Sequence, residues 1–118
     1  FTDQRFFRHL RLDENEFSGS LPSYSDSTVL WNLYLGSNRL DGTIPDNFLG
    51  GTPPFAKVLV DLSWNKLSGT VPSSLGHLED LTIYLRENQF TGLAEELCEK
   101  TAWMDYGVGS FGCDAILC

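Results

Sequence analysis

Four stretches of this chain repeat one pattern, and that repetition constrains the fold more than any other feature. Leu10-Arg11-Leu12-Asp13-Glu14-Asn15-Glu16-Phe17-Ser18-Gly19 opens the series, and Leu33-Tyr34-Leu35-Gly36-Ser37-Asn38-Arg39-Leu40-Asp41-Gly42 follows. Val60-Asp61-Leu62-Ser63-Trp64-Asn65-Lys66-Leu67-Ser68-Gly69 is the third copy, and Ile83-Tyr84-Leu85-Arg86-Glu87-Asn88-Gln89-Phe90-Thr91-Gly92 the fourth. The first three continue into an aliphatic residue and a proline: Leu21-Pro22, Ile44-Pro45 and Val71-Pro72. One such unit is too small to bury its own apolar side. Stacked units share a continuous core, so the pattern predicts a solenoid.

Each fixed position has a physical task. The alternating pairs, such as Leu33 and Leu35 or Val60 and Leu62, have the period of two of a short strand with one buried face. Phe17, Leu40, Leu67 and Phe90 return to the core after the chain turns. Asn15, Asn38, Asn65 and Asn88 fall where the strand ends and the backbone bends. There a primary amide can donate to and accept from peptide groups that lack ladder partners, which predicts a stacked amide ladder. Gly19, Gly42, Gly69 and Gly92 are expected to permit a tight turn, and the prolines to stiffen an extended stretch.

The period is not uniform. Leu12 to Leu35 and Leu62 to Leu85 are steps of 23 residues, whereas Leu35 to Leu62 is 27. The longer step contains Gly50-Gly51-Thr52-Pro53-Pro54-Phe55, read as a loop inserted on the outer side. Leu75, Leu78 and Leu81 have helical spacing behind Ser73 and Ser74, which predicts a short helix or 3₁₀ turn.

These motifs resemble the plant-type leucine-rich repeat over residues 7–97, including its Leu-Gly-x-Leu continuation at Leu75-Gly76-His77-Leu78. The ending Gly112-Cys113-Asp114-Ala115-Ile116-Leu117-Cys118 is similar to the capping segment of microalgal members. The resemblance implies an α/β, right-handed leucine-rich-repeat solenoid. It would have a parallel concave β-sheet, short 3₁₀ or helical outer segments and a C-terminal cap. It also implies an extracellular setting, as a receptor-like ectodomain or an inhibitor-like solenoid. The family has no shared catalytic residue. Ala94 and Glu95 depart from the repeat and read as the start of the cap, so residues 98–118 are taken as the capping segment of one domain spanning 1–118.

The remaining composition narrows the function. A net charge of −8 with no basic run argues against nucleic acid and anionic membranes. No apolar run is long enough for a membrane span. Cys98, Cys113 and Cys118 cluster in the last segment, which predicts a disulfide from Cys98 to Cys113 or Cys118 and an oxidising, secreted setting. Their spacing fits no zinc pattern, and no metal or cofactor is expected. The odd cysteine and the uncovered Phe1, Phe6 and Phe7 suggest a piece of a longer protein with an association-prone N-terminal edge.

Residues between the buried strand positions project outward in columns. These run His9, Asn32, Leu59, Thr82, then Arg11, Tyr34, Asp61, Tyr84, then Asp13, Gly36, Ser63, Arg86, and finally Glu14, Ser37, Trp64, Glu87. Tyr34, Asp61, Trp64, Tyr84 and Arg86 are therefore the candidate ligand-binding residues, of the types that dominate recognition hot spots. Gly36, Ser37 and Ser63 would leave room beside the rings for a ligand side chain. The expected partner is a protein or peptide on the concave face, with cell-wall polysaccharide a further candidate. An ice- or polysaccharide-binding row at Ser20, Thr43 and Thr70 is the alternative. A glycoside hydrolase using Glu14 and Asp61 is more remote, and the chain is read as a binding protein with no enzymatic activity.

Overall fold

A computed structural model describes residues 9–25 and 31–93, four stacked coils of a parallel β-solenoid. The alternating pairs form the first sheet from β1 (His9–Arg11), β3 (Asn32–Tyr34), β5 (Lys57–Asp61) and β7 (Asp80–Tyr84), in that order. Repeat-equivalent residues pair directly, Leu33 with Val60 and Val60 with Ile83. In β5 the alternation is complete: Val58 and Val60 are buried, while Lys57, Leu59 and Asp61 point outward. Direct register puts buried aliphatics over buried aliphatics, so one core runs through every coil. Leu33, Leu35, Val60, Leu62, Ile83 and Leu85 are all at most 3% exposed. Leu10 and Leu12 of the first described coil pack against it while only partly buried.

The amide ladder forms as the sequence predicts. Asn38 Nδ2 donates to the carbonyl oxygens of Leu12 and Leu35 at 3.0 Å each, and its Oδ1 accepts from Phe17 N at 3.1 Å. Asn65 repeats this one coil on, donating to Leu35 and Leu62 and accepting from Leu40 N at 3.0 Å. Asn88 donates to Leu62 and Leu85 and accepts from Leu67 N. Each amide thus ties its own bend to the preceding coil. The residue before each asparagine takes the left-handed conformation: Glu14, Ser37, Trp64 and Glu87 have φ of 57 to 59°.

After the bend the structure departs from the expected tight turn. The chain stays extended and forms a second parallel sheet, from β2 (Ser18–Ser20), β4 (Arg39–Thr43), β6 (Lys66–Val71) and β8 (Gln89–Leu93). Gly19, Gly42 and Gly69 lie inside these strands with φ of 76 to 89°, and the ladder shifts register between Gly69 and Thr70. Glycine is required here because the strand must pass through a left-handed conformation to stay paired with its neighbour. At Gly69 a Cβ would also fall 2.7 Å from Thr43 Cγ2. The pairing is staggered relative to the repeat, with Thr43 opposite Ser68 and Thr70 opposite Gly92.

The outer side is made of turns and one 3₁₀ segment, η1 (Ser73–His77), within the predicted stretch. Phe48 and Leu49 on one coil and Leu75 and Leu78 on the next fill the core from this side at 0% exposure. The inserted loop is tied down. His77 places Nε2 3.1 Å from the Thr52 carbonyl and Nδ1 2.9 Å from that of Ser74, and Glu79 N donates to the Pro54 carbonyl. The proposed cysteine bridge, the cap beginning at Ala94 and Phe1, Phe6 and Phe7 lie outside the described residues. Among the described residues, no helix is long and apolar enough to cross a membrane.

Candidate functional site

The first sheet brings the predicted columns into register. Tyr34 pairs with Asp61 and Asp61 with Tyr84, so the two rings stand one strand either side of the carboxylate, about 10 Å apart. The ladder continues past the strands: Ser37 N donates to Ser63 O at 2.9 Å, and Trp64 N to Arg86 O at 3.0 Å. Trp64 therefore lies beyond the C-terminal end of β5 beside the backbone of Arg86, and the residue is 57% exposed. Arg86 is exposed, whereas Tyr34 and Tyr84 are half-buried.

Two contacts alter the expected site. The guanidinium of Arg11 lies over the Tyr34 ring, 4.9 Å from its centroid, and its Nε is 3.1 Å from Asp13 Oδ1. One face of Tyr34 is thus already in a cation–π contact with the chain's own arginine. Asp61 turns toward its own coil, where its Oδ1 accepts from Ser63 Oγ at 2.6 Å and from Ser63 N at 3.0 Å. A Cβ on Gly36 would be 3.2 Å from that oxygen. The space over Gly36 is therefore occupied by the Asp61 carboxylate, which corrects the expectation that it lies open to a ligand. Gly36 serves to seat Asp61, and Asp61 is a fixed acceptor between the two tyrosines.

Sequence reasoning overlooked a second feature of this face. A groove of about 420 Å³ lies at the opposite end of the strands, lined by Trp31, Asn32, Lys57, Val58, Leu59 and Thr82. Its floor is the outward row Asn32–Leu59–Thr82, and Trp31 is 39% exposed. The available signal was Leu59, an apolar residue in a column otherwise made of His9, Asn32 and Thr82. Phe55, 84% exposed, lies two residues before β5 in the inserted loop.

The rival surfaces are less ordered. Because the second sheet is staggered, Ser20 pairs with Asp41 and Thr43 with Ser68, so Ser20, Thr43 and Thr70 do not stand side by side. Glu14 and Asp61 are two coils apart and three residues out of line. Two strand spacings and the bend at Glu14 separate their backbones, so the two residues are not direct neighbours on the sheet. Among the described residues no group of three or more metal-ligating side chains comes together.

Comparison with known proteins agrees with this architecture. The Leucine Rich Repeat family pattern matches residues 30–50 and 58–78. A receptor protein kinase-like protein of Arabidopsis thaliana is 38% identical over 91 residues, covering 77% of this chain and 11% of that protein. Pollen receptor-like kinase 2 of the same plant is 32% identical over 90 residues, covering 75% of this chain and 14% of the kinase. The chain thus spans a small part of these relatives' length. Stacked repeats of this kind present extended surfaces for protein interaction. The repeat pattern, the parallel solenoid and these similarities together show that the chain belongs to the plant-type leucine-rich-repeat family.

Proposed function

We propose that this chain is an extracellular, non-enzymatic recognition module, and that it holds a protein or peptide partner on the face of the first sheet around Trp64. Trp64 carries the reading. It occupies the left-handed position that Glu14, Ser37 and Glu87 occupy in the other coils, a conformation that disfavours a bulky side chain. Yet 57% of its surface remains exposed, so burial in the core does not account for it. A large indole kept at a penalised, exposed backbone position is the pattern of a contact residue.

The neighbours suit that role. Tyr84 supplies a half-buried ring, Asp61 a fixed acceptor and Arg86 an exposed cation, while Tyr34 is stiffened by Arg11. Similarity to two receptor-like kinases supports an ectodomain-type setting, and the three C-terminal cysteines fit a secreted one. The test is selection of a displayed heptapeptide library on the wild-type chain. Affinities of the selected peptides are then compared on Tyr84→Ala, on Arg86→Ala and on Thr43→Ala with Thr70→Ala. Tyr84→Ala should weaken binding by about 2 kcal/mol, Arg86→Ala by less, and the second-sheet changes by almost nothing. Peptides released by the threonine changes and retained by Tyr84→Ala would move the binding surface to the second sheet.

A further inference from the structure

The groove at the N-terminal end of the first sheet has a composition unlike the patch around Trp64. Leu59 is the apolar centre of its floor, between Asn32 and Thr82, and its wall is the partly exposed Trp31. Three polar groups border it. Asn32 Nδ2 is engaged by His9 Nδ1, whereas its Oδ1, the Thr82 hydroxyl and the Lys57 ammonium make no hydrogen bond or ion pair among the described residues. On a chain of net charge −8, Lys57 is a cation beside an apolar hollow, with Asp80 its cross-strand neighbour but not its ion-pair partner.

A volume of about 420 Å³ is near the lower end of the ~300–1,000 Å³ usual for ligand pockets. That is room for one large apolar side chain and the backbone on either side of it. We infer that this groove is a second anchor for a peptide partner, taking a bulky apolar side chain against Trp31 and Leu59 with an adjacent acidic side chain on Lys57. The inference rests on the reading of this face as peptide-binding and adds the chemistry of the peptide. Charge complementarity selects the occupant: an apolar residue alone would leave Lys57 unpaired, and a basic neighbour would be repelled. Asn32 Oδ1 and Thr82 Oγ1, on the floor either side of Leu59, would bond the peptide backbone. Leu59 and Trp64 are five residues apart on one coil, and the bend at Trp64 shortens the path, so the two anchors stand less than roughly 17 Å from each other. One peptide of about six residues can reach both.

The experiment is library selection again, with the readout now the sequence preference. Displayed heptapeptides are selected in parallel on wild type, on Lys57→Glu and on Thr82→Trp, which fills the groove. Circular dichroism melts of each variant confirm folding. Wild type should enrich a bulky apolar residue with Asp or Glu within two positions. Lys57→Glu should enrich Lys or Arg at those positions instead and bind the wild-type peptides about tenfold more weakly. Thr82→Trp should lose the apolar preference. An unchanged preference on Lys57→Glu and Thr82→Trp, with binding lost on Tyr84→Ala, overturns the groove anchor and leaves the Trp64 patch intact. Absence of any enriched sequence on wild type overturns both. Concentration-dependent self-association that Lys57→Glu abolishes, measured by sedimentation, would assign the groove to a second copy of the chain and overturn the peptide anchor.

Discussion

Replacing Asn65 by alanine tests the amide ladder, and the hydrogen bonds fix how large the effect should be. Asn65 is 8% exposed, donates to Leu35, Leu62 and Ser63 and accepts from Leu40 N. Most of these partners are doubly served. The Leu35 carbonyl also accepts from Asn38, Leu62 from Asn88 and Ser63 from Ser37 N. Only the Leu40 N–H is left without its acceptor. One buried orphan donor costs about 1–3 kcal/mol, so Asn65→Ala should cost about 2 kcal/mol. Asn15 is exposed, and among the described residues its Nδ2 bonds only Leu12 and Asp13, with Leu12 also served by Asn38. Asn15→Ala should therefore cost about 0.5 kcal/mol or less. The double change Asn38→Ala with Asn65→Ala strips the Leu35 carbonyl of both donors, so its cost should exceed the sum of the single changes by about 1 kcal/mol. Urea midpoints at constant m measure all four variants. Equal losses at Asn15 and Asn65, or strict additivity of the pair, would refute the shared-acceptor arrangement.

Gly69→Ala should destabilise by about 2–3 kcal/mol in chemical denaturation, because φ is 76° and the new Cβ meets Thr43 Cγ2, whereas Gly19→Ala, with open space around it, should cost about 1 kcal/mol. Gly36→Ala should cost about 1–3 kcal/mol, since the Cβ would press on the Ser63 carbonyl and the Asp61 carboxylate; an unchanged midpoint would mean that Asp61 does not fill that space. The Tyr24 hydroxyl is buried without a hydrogen-bond partner among the described residues, and burial pushes its pKa up to about 12. The folded state then holds the proton that the unfolded state releases above about pH 10, so stability falls as pH rises from about 10 to 12. Tyr24→Phe should flatten that decline and leave stability at pH 7 unchanged or slightly higher, as read from melts across the pH series.

The repeat made most of this fold legible because its positions answer to one strong constraint, burial in a shared core. The strand pairs, the amide ladder and the columns His9–Thr82 and Arg11–Tyr84 all follow from a period of two and a bend at asparagine. The second sheet did not, because Ser18-Gly19-Ser20 and Asp41-Gly42-Thr43 have turn-like composition; pairing with neighbouring coils, a tertiary effect, keeps them extended. At the site, sequence alone gave the register of Tyr34, Asp61 and Tyr84 but not the direction of the Asp61 side chain. That depends on Ser63 two residues along and on the missing Cβ of Gly36 one coil away. The groove was hidden because Trp31 precedes its strand and Lys57 reads as an ordinary surface charge until Leu59 lies beside them.

Binding and stability measured together on Trp64→Asn test the central claim most directly. Asparagine tolerates the left-handed backbone that Trp64 adopts at φ 59°, so the exchange removes strain along with the exposed indole. If Trp64 is a contact residue, the melting temperature stays level or rises while affinity for peptides selected on the wild-type chain falls about 30-fold, equivalent to about 2 kcal/mol. A variant that melts lower and binds those peptides with undiminished affinity would contradict the account, because it would make Trp64 a support of the fold and place recognition elsewhere.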